Sequence, residues 1–184
     1  MKRLLLAAAV CLFAAGTARA AVVPTDRKDF QVFKDVANAV TGYVHFTIFD
    51  NVSANVKDGV VTLSGRVTMP YKKTDIEQRV TRIDGVQRVR DDIAVLPVSS
   101  FDDQLRVHIA RGIYGNSNFW NYALAPNPPI HIVVEHGRVT LTGVVNSDID
   151  RVLARSIASQ AGAFSVTSAL KTDAEMREAL EKSE

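Results

Sequence analysis

Val56-Lys57-Asp58-Gly59-Val60-Val61-Thr62-Leu63-Ser64-Gly65-Arg66-Val67 returns 78 residues later as Val134-Glu135-His136-Gly137-Arg138-Val139-Thr140-Leu141-Thr142-Gly143-Val144-Val145. In both copies apolar residues alternate with polar ones, the period of a strand buried on one face. Asp58-Gly59 interrupts the first alternation, and a two-residue break ending in Gly is a strong hairpin signal, because both central positions of a type I′ turn need positive φ. His136-Gly137 holds the same place in the second copy. A solenoid needs three or more shorter units to bury its core. Two long copies therefore predict two similar small domains. What is duplicated is a hairpin that defines a fold, not a set of catalytic groups.

Working outward, the same element order appears on both sides. Val32, Phe33, Val36 and Val40 fall on one face of a helix read from Phe30 to Tyr43. The hairpin follows, then Pro70 in the first turn of a helix with the stripe Ile76, Val80 and Ile83, closed by Asp84-Gly85. Val89, Ile93 and Val95 mark a last strand. In the second half Leu105, Ile109 and Ile113 give the first helix, Ile130, Ile132 and Val134 the first strand, and Val139, Leu141, Gly143 and Val145 the second. Ile149, Val152, Leu153 and Ile157 give the buried stripe of the second helix, after N-cap oxygens at Asn146, Ser147 and Asp148. Gly162 ends that helix, and Val166 and Leu170 belong to the final strand. The predicted fold is α+β: two tandem α-β-β-α-β domains, each a three-stranded mixed sheet packed against two helices. The domains are read as residues 30–96 and 102–171, joined by a short Pro/Ser linker. Residues 172–184 read as a charged tail, a frayed helix or disordered.

The first twenty residues read as a signal peptide. Lys2 and Arg3 precede the apolar stretch Leu4 to Ala15, and Ala18-Arg19-Ala20 is the small-x-small pattern that sets cleavage after Ala20. Cys11, the sole cysteine, follows Ala8-Ala9-Val10 and fits a lipidation site poorly. The expected location is the periplasm. Cleavage leaves 19 basic and 20 acidic residues, a net charge of −1, and no thiol for a disulfide. The basic excess typical of a nucleic-acid binder is lacking, and no nucleic-acid partner is expected.

Candidate sites are few. Gly59, Gly65, Gly137 and Gly143 are structural, the first of each pair supplying positive φ and the second making room where strand and helix approach. Lying inside hairpins, they form no phosphate loop. His45, His108, His131 and His136 are scattered, with no carboxylate or thiol completing a ligand set, so neither metal nor cofactor is expected. No G-x-S-x-G or S-x-x-K motif supports a hydrolase. Lys72, Lys73, Arg79 and Arg82 read as a solvated helix face. The stretch Tyr114 to Pro129, about five residues longer than its counterpart, reads as a loop, and its Phe119, Trp120 and Tyr122 either fold over the second core or project as an interfacial cluster. Arg151 and Arg155, one turn apart on the outer face of the following helix, would attract anionic head groups.

These patterns resemble the BON domain, whose V-x-x-G-x-V-x-L-x-G-x-V core fits both Val56 to Val67 and Val134 to Val145. Gly85-Val86, then Val89, Ile93 and Val95, match the family's second element. The second copy departs there, with Ala163 for the Val and Lys171-Thr172 at the closing apolar positions. The resemblance implies a non-enzymatic envelope module, associated with stress, that binds phospholipid or membrane surfaces. In similar two-domain proteins the lipid contact lies on the second domain, around a helix matching Ile149 to Gln160. The expected partner is anionic phospholipid through Phe119, Trp120, Tyr122, Arg151 and Arg155. A periplasmic interaction scaffold or holdase, binding envelope proteins without lipid, is the alternative.

Overall fold

The computed structural model describes residues 29–181, so the signal peptide, Cys11 and the last residues of the tail lie outside the described residues. The first half runs α1 (Asp29–Thr41), β1 (Asn51–Lys57), β2 (Val60–Val67), α2 (Pro70–Thr81) and β3 (Arg88–Val95). The second runs α3 (Ser100–Tyr114), a 3-10 turn at Ser117–Phe119, α4 (Trp120–Ala123), β4 (Ile130–Glu135), β5 (Arg138–Val145), α5 (Asp148–Gln160), β6 (Ser165–Thr172) and α6 (Asp173–Glu181). Each half holds one mixed sheet in which the hairpin is antiparallel and the last strand joins parallel to its second arm. That parallel join requires a crossover, and α2 and α5 supply it.

Both hairpins close in type I′ turns: Asp58 and Gly59 have φ of 51° and 72°, and His136 and Gly137 have 53° and 73°. Each turn is pinned by a carboxylate from the start of the domain's first helix. Asp29 accepts from the N–H groups of Asp58 and Gly59, and the fully buried Asp102 accepts from those of His136 and Gly137. The second glycines serve a purpose other than the expected one. A Cβ on Gly65 would fall 2.1 Å from the Asn51 carbonyl oxygen, and one on Gly143 would fall 1.8 Å from that of Pro129. The close neighbour is thus the backbone entering the adjacent strand, not a helix.

Two cores result. Val32, Val36, Val40, Val61, Leu63, Val67, Ile76, Val80 and Ile93 fill the first; Leu105, Ile109, Ile113, Phe119, Ile130, Ile132, Val134, Leu141 and Leu170 are prominent in the second. Lys72 is not part of a solvated face: its ammonium lies buried 2.6 Å from the fully buried Asp50. The segment read as linker ends early, because Ser99 caps α3 by accepting from the Asp102 N–H.

The halves also meet through the turn between α1 and β1. Ile48 and Phe49 pack against the second core, and the Ile48 carbonyl accepts from the Ile132 N–H at 2.7 Å. The Asp50 carbonyl lies 2.7 Å from His131 Nδ1, which must therefore carry the proton and donate, since a carbonyl can only accept. Phe46 lies against the same imidazole, and Arg66 pairs with Glu135 at 3.3 Å. Burial pushes the His131 pKa down, opposed by its bonds to Asp50 and Thr47.

Candidate functional site: an exposed apolar end of the second domain

The second domain departs from the sequence reading at α5. Its buried face carries Ala154 and Ala158, while Ile149 and Val152, expected in the core, are 77% and 67% exposed. The two helices approach closely, for at Gly112 of α3 a Cβ would fall 2.7 Å from Ile157 Cγ2, and the fully buried residues of α5 are the small Ala154 and Ala158. The bulky apolar residues of the first turns are left outside. Leu153 and Ile157 remain half-buried against the core.

The insertion also differs from the expected loop. The Asn116 side chain accepts from the Asn118 N–H and starts the 3-10 turn, which leads into α4. Phe119 is fully buried and Tyr122 nearly so, their rings 5.6 Å apart, and neither can enter a membrane. The Tyr122 hydroxyl donates to Asp150 at 2.8 Å and accepts from the Asn146 N–H at 2.7 Å, which fastens α4 to the start of α5. Burial is the main reason that its pKa is pushed up to about 12. Trp120 at the start of α4 and Leu124 at its C-terminal cap, one turn apart, are 66% and 69% exposed. Asn118 shares a shallow groove with Asp148, Ile149, Val152, Leu153 and Ser156. Of the expected aromatic cluster, only Trp120 projects.

Arg151 is not a free cation. Its guanidinium binds Glu175 of α6 at 3.0 Å, donates to the Leu170 carbonyl at 3.3 Å and pairs with Asp148. Glu175 raises the Arg151 pKa first of all. Glu175 in turn accepts from the Thr172 N–H, and the Thr172 hydroxyl accepts from the Glu175 N–H. This reciprocal capping box, legible as Thr172-x-x-Glu175, makes a helix of the segment read as frayed or disordered. Arg155 remains exposed on α5.

Among the described residues no group of three His, Cys, Asp or Glu side chains could hold a metal ion, and no helix is long and apolar enough to cross a membrane. A second concavity lies between the domains, lined by Gly65 and Val133 together with polar and charged residues such as Arg66, Glu135, Arg138 and Thr140.

The family model of the BON domain matches residues 33–97 and 119–174. The chain belongs to the BON-domain family. BON-domain proteins are generally non-catalytic, typically periplasmic or envelope-associated, and associated with phospholipid or membrane binding. No curated protein matches the chain in sequence. Among solved structures, CdsD, a structural protein of the Type III secretion system of Chlamydia trachomatis, is similar at 15% identity over 82% of this chain and 97% of that one, with a TM-score of 0.28. The C-terminal domain of CdsD matches at 12% identity over 79% of this chain and all of that one, with a TM-score of 0.29.

Proposed function

We propose that this tandem BON protein is a non-catalytic envelope module that attaches reversibly to phospholipid bilayers through the exposed apolar end of its second domain. The carrying observation is that Trp120, Leu124, Ile149 and Val152 each leave about two thirds or more of their surface open, on α4 with its C-terminal cap and on the first turns of α5, which the Tyr122–Asp150 bond links. Singly exposed apolar residues need no explanation, whereas several large ones on two elements fastened together by the Tyr122–Asp150 bond do. Ile149 and Val152 form the wall of a shallow groove, and all four keep most of their surface open. That suits insertion into a deformable interface, where the indole ring and its N–H are both satisfied. Burying the open part of each would yield about 1.5 kcal/mol. The sum, about 6 kcal/mol, is roughly what one myristoyl chain supplies, enough for reversible attachment only.

Co-flotation of the protein with vesicles tests this reading. Replacing Trp120, Ile149 and Val152 together by Ser should abolish flotation while leaving the thermal midpoint within the range of surface substitutions. Undiminished flotation of that variant would refute this surface. If the native protein floats with no vesicle yet captures envelope proteins through the same residues, the scaffold reading replaces it.

A further inference from the structure

The charges around the apolar end have the wrong sign for an anionic membrane. Asp148 lines the groove beside Ile149 and Val152, Asp150 holds Tyr122, Asp173 is close enough to act on Tyr122, and Glu175 holds Arg151. Against these four carboxylates stand Arg151, already shared between Asp148 and Glu175, Arg155, and Lys171, which is close enough to act on Glu175. The rim therefore carries a net charge of −1. Further along α6, Arg177 is outnumbered by Glu178 and Glu181.

The cations are elsewhere. Core side chains project from the helix-covered face of each sheet, so the alternate positions point to the uncovered faces. There the strands present Lys57, Arg66, Arg88, Arg90 and Arg138 against Asp92 and Glu135. The apolar residues on these faces, Val60, Val133 and Val144, are buried or half-buried. Attraction and insertion are thus assigned to different sides of the molecule. A strongly anionic bilayer would draw the sheet faces toward itself and turn the apolar end away.

We infer that the apolar end of the second domain docks on zwitterionic phospholipid surfaces, whose ammonium groups meet the carboxylate rim, and that anionic lipid weakens the attachment. The inference rests on the membrane reading above and specifies its lipid class. A net charge of −1 approaching a surface at about −30 mV lowers partitioning about threefold relative to a neutral surface. Screening narrows that difference as salt rises, because the Debye length shrinks to about 3 Å at 1 M.

The test is partitioning of the full chain onto vesicles of phosphatidylcholine with phosphatidylethanolamine, and onto the same vesicles containing enough phosphatidylglycerol to reach that potential. About threefold tighter partitioning onto the first set, shrinking with salt, is expected. Asp148→Lys, at a side chain 74% exposed, brings the rim to a net charge of +1 and should reverse the preference, with a loss of stability no larger than that of a surface ion pair and a helix-start charge. Equal or tighter binding to the anionic set, or an unchanged preference in Asp148→Lys, overturns the inference and leaves the membrane reading standing. Binding to neither set overturns both.

Discussion

Removing the Asp50 carboxylate should cost the first domain far more than removing its ion-pair partner. Asp50 is fully buried and accepts five hydrogen bonds: from the Thr47 N–H and hydroxyl at 2.8 Å each, from the Thr68 N–H and hydroxyl at 2.7 and 2.9 Å, and from Lys72 Nζ at 2.6 Å. Burial alone would raise its pKa. The bonds from Lys72, Thr68 and Thr47 outweigh that and hold it below the usual carboxylate range. In Lys72→Met the carboxylate keeps four donors, so the loss should lie near the lower end for breaking a buried pair, about 3 kcal/mol. In Asp50→Ala the Lys72 ammonium loses its counter-charge, and the Thr47 and Thr68 N–H groups are orphaned besides, at about 1 to 3 kcal/mol each. A loss of about 5 kcal/mol or more follows, comparable with the whole stability of a small domain. Adding Lys72→Met to Asp50→Ala should then restore the part of the stability lost to the unpaired charge, while the Thr47 and Thr68 N–H groups stay orphaned. Urea titrations of the four proteins of the double-mutant cycle measure these differences. Equal losses in the single variants, or simple additivity in the double, would refute the account of Asp50 as the hub.

The depressed His131 pKa makes the unfolded chain the better proton acceptor, so stability should be fully present above the ordinary histidine range and fall as pH drops through about 6.5 toward the lower folded value. Thermal melts between pH 7.5 and 5 should show that slope, and His131→Phe should flatten it; an equal slope in the variant would assign the titration to another group. Gly143→Ala combines a φ of +113° with a Cβ 1.8 Å from a backbone oxygen, whereas Gly162→Ala has a φ of +93° and nothing within 4 Å. The first should therefore lose about 2 to 5 kcal/mol and the second only the conformational part, about 1 kcal/mol; equal shifts in thermal midpoint would discount the backbone clash.

The fold was legible because its signals are local. A hairpin turn occupies two residues, and strand alternation places Val61, Leu63 and Val67 on the core face whatever lies beyond. The rotation of α5 was not legible, since Ile149, Val152, Leu153 and Ile157 form an acceptable helical stripe. The folded domain buries Ala154 and Ala158 instead, with α3 approaching α5 closely at Gly112 and Ile157. That choice moved the candidate site, exposing Ile149 and Val152 while Phe119 and Tyr122 went inside. Two signals lay in plain view. Thr172-x-x-Glu175 is a capping box, and Asp29 precedes its turn by 29 residues as Asp102 precedes its own by 34, the difference of five being the insertion. The partnership of Asp50 with Lys72 had no sequence signature, because residues 22 apart meet only after the domain has folded.

The turn that carries Ile48 and Phe49 out of the first domain makes the two copies of the repeat unequal in rank. Copy one gives part of its own length to its neighbour, whereas the matching stretch of copy two turns inward with Phe119 and Tyr122. The join therefore has a direction. A chain with the halves in reverse order would carry the same residues and the same two cores, yet its leading copy would have nothing to offer the one behind it.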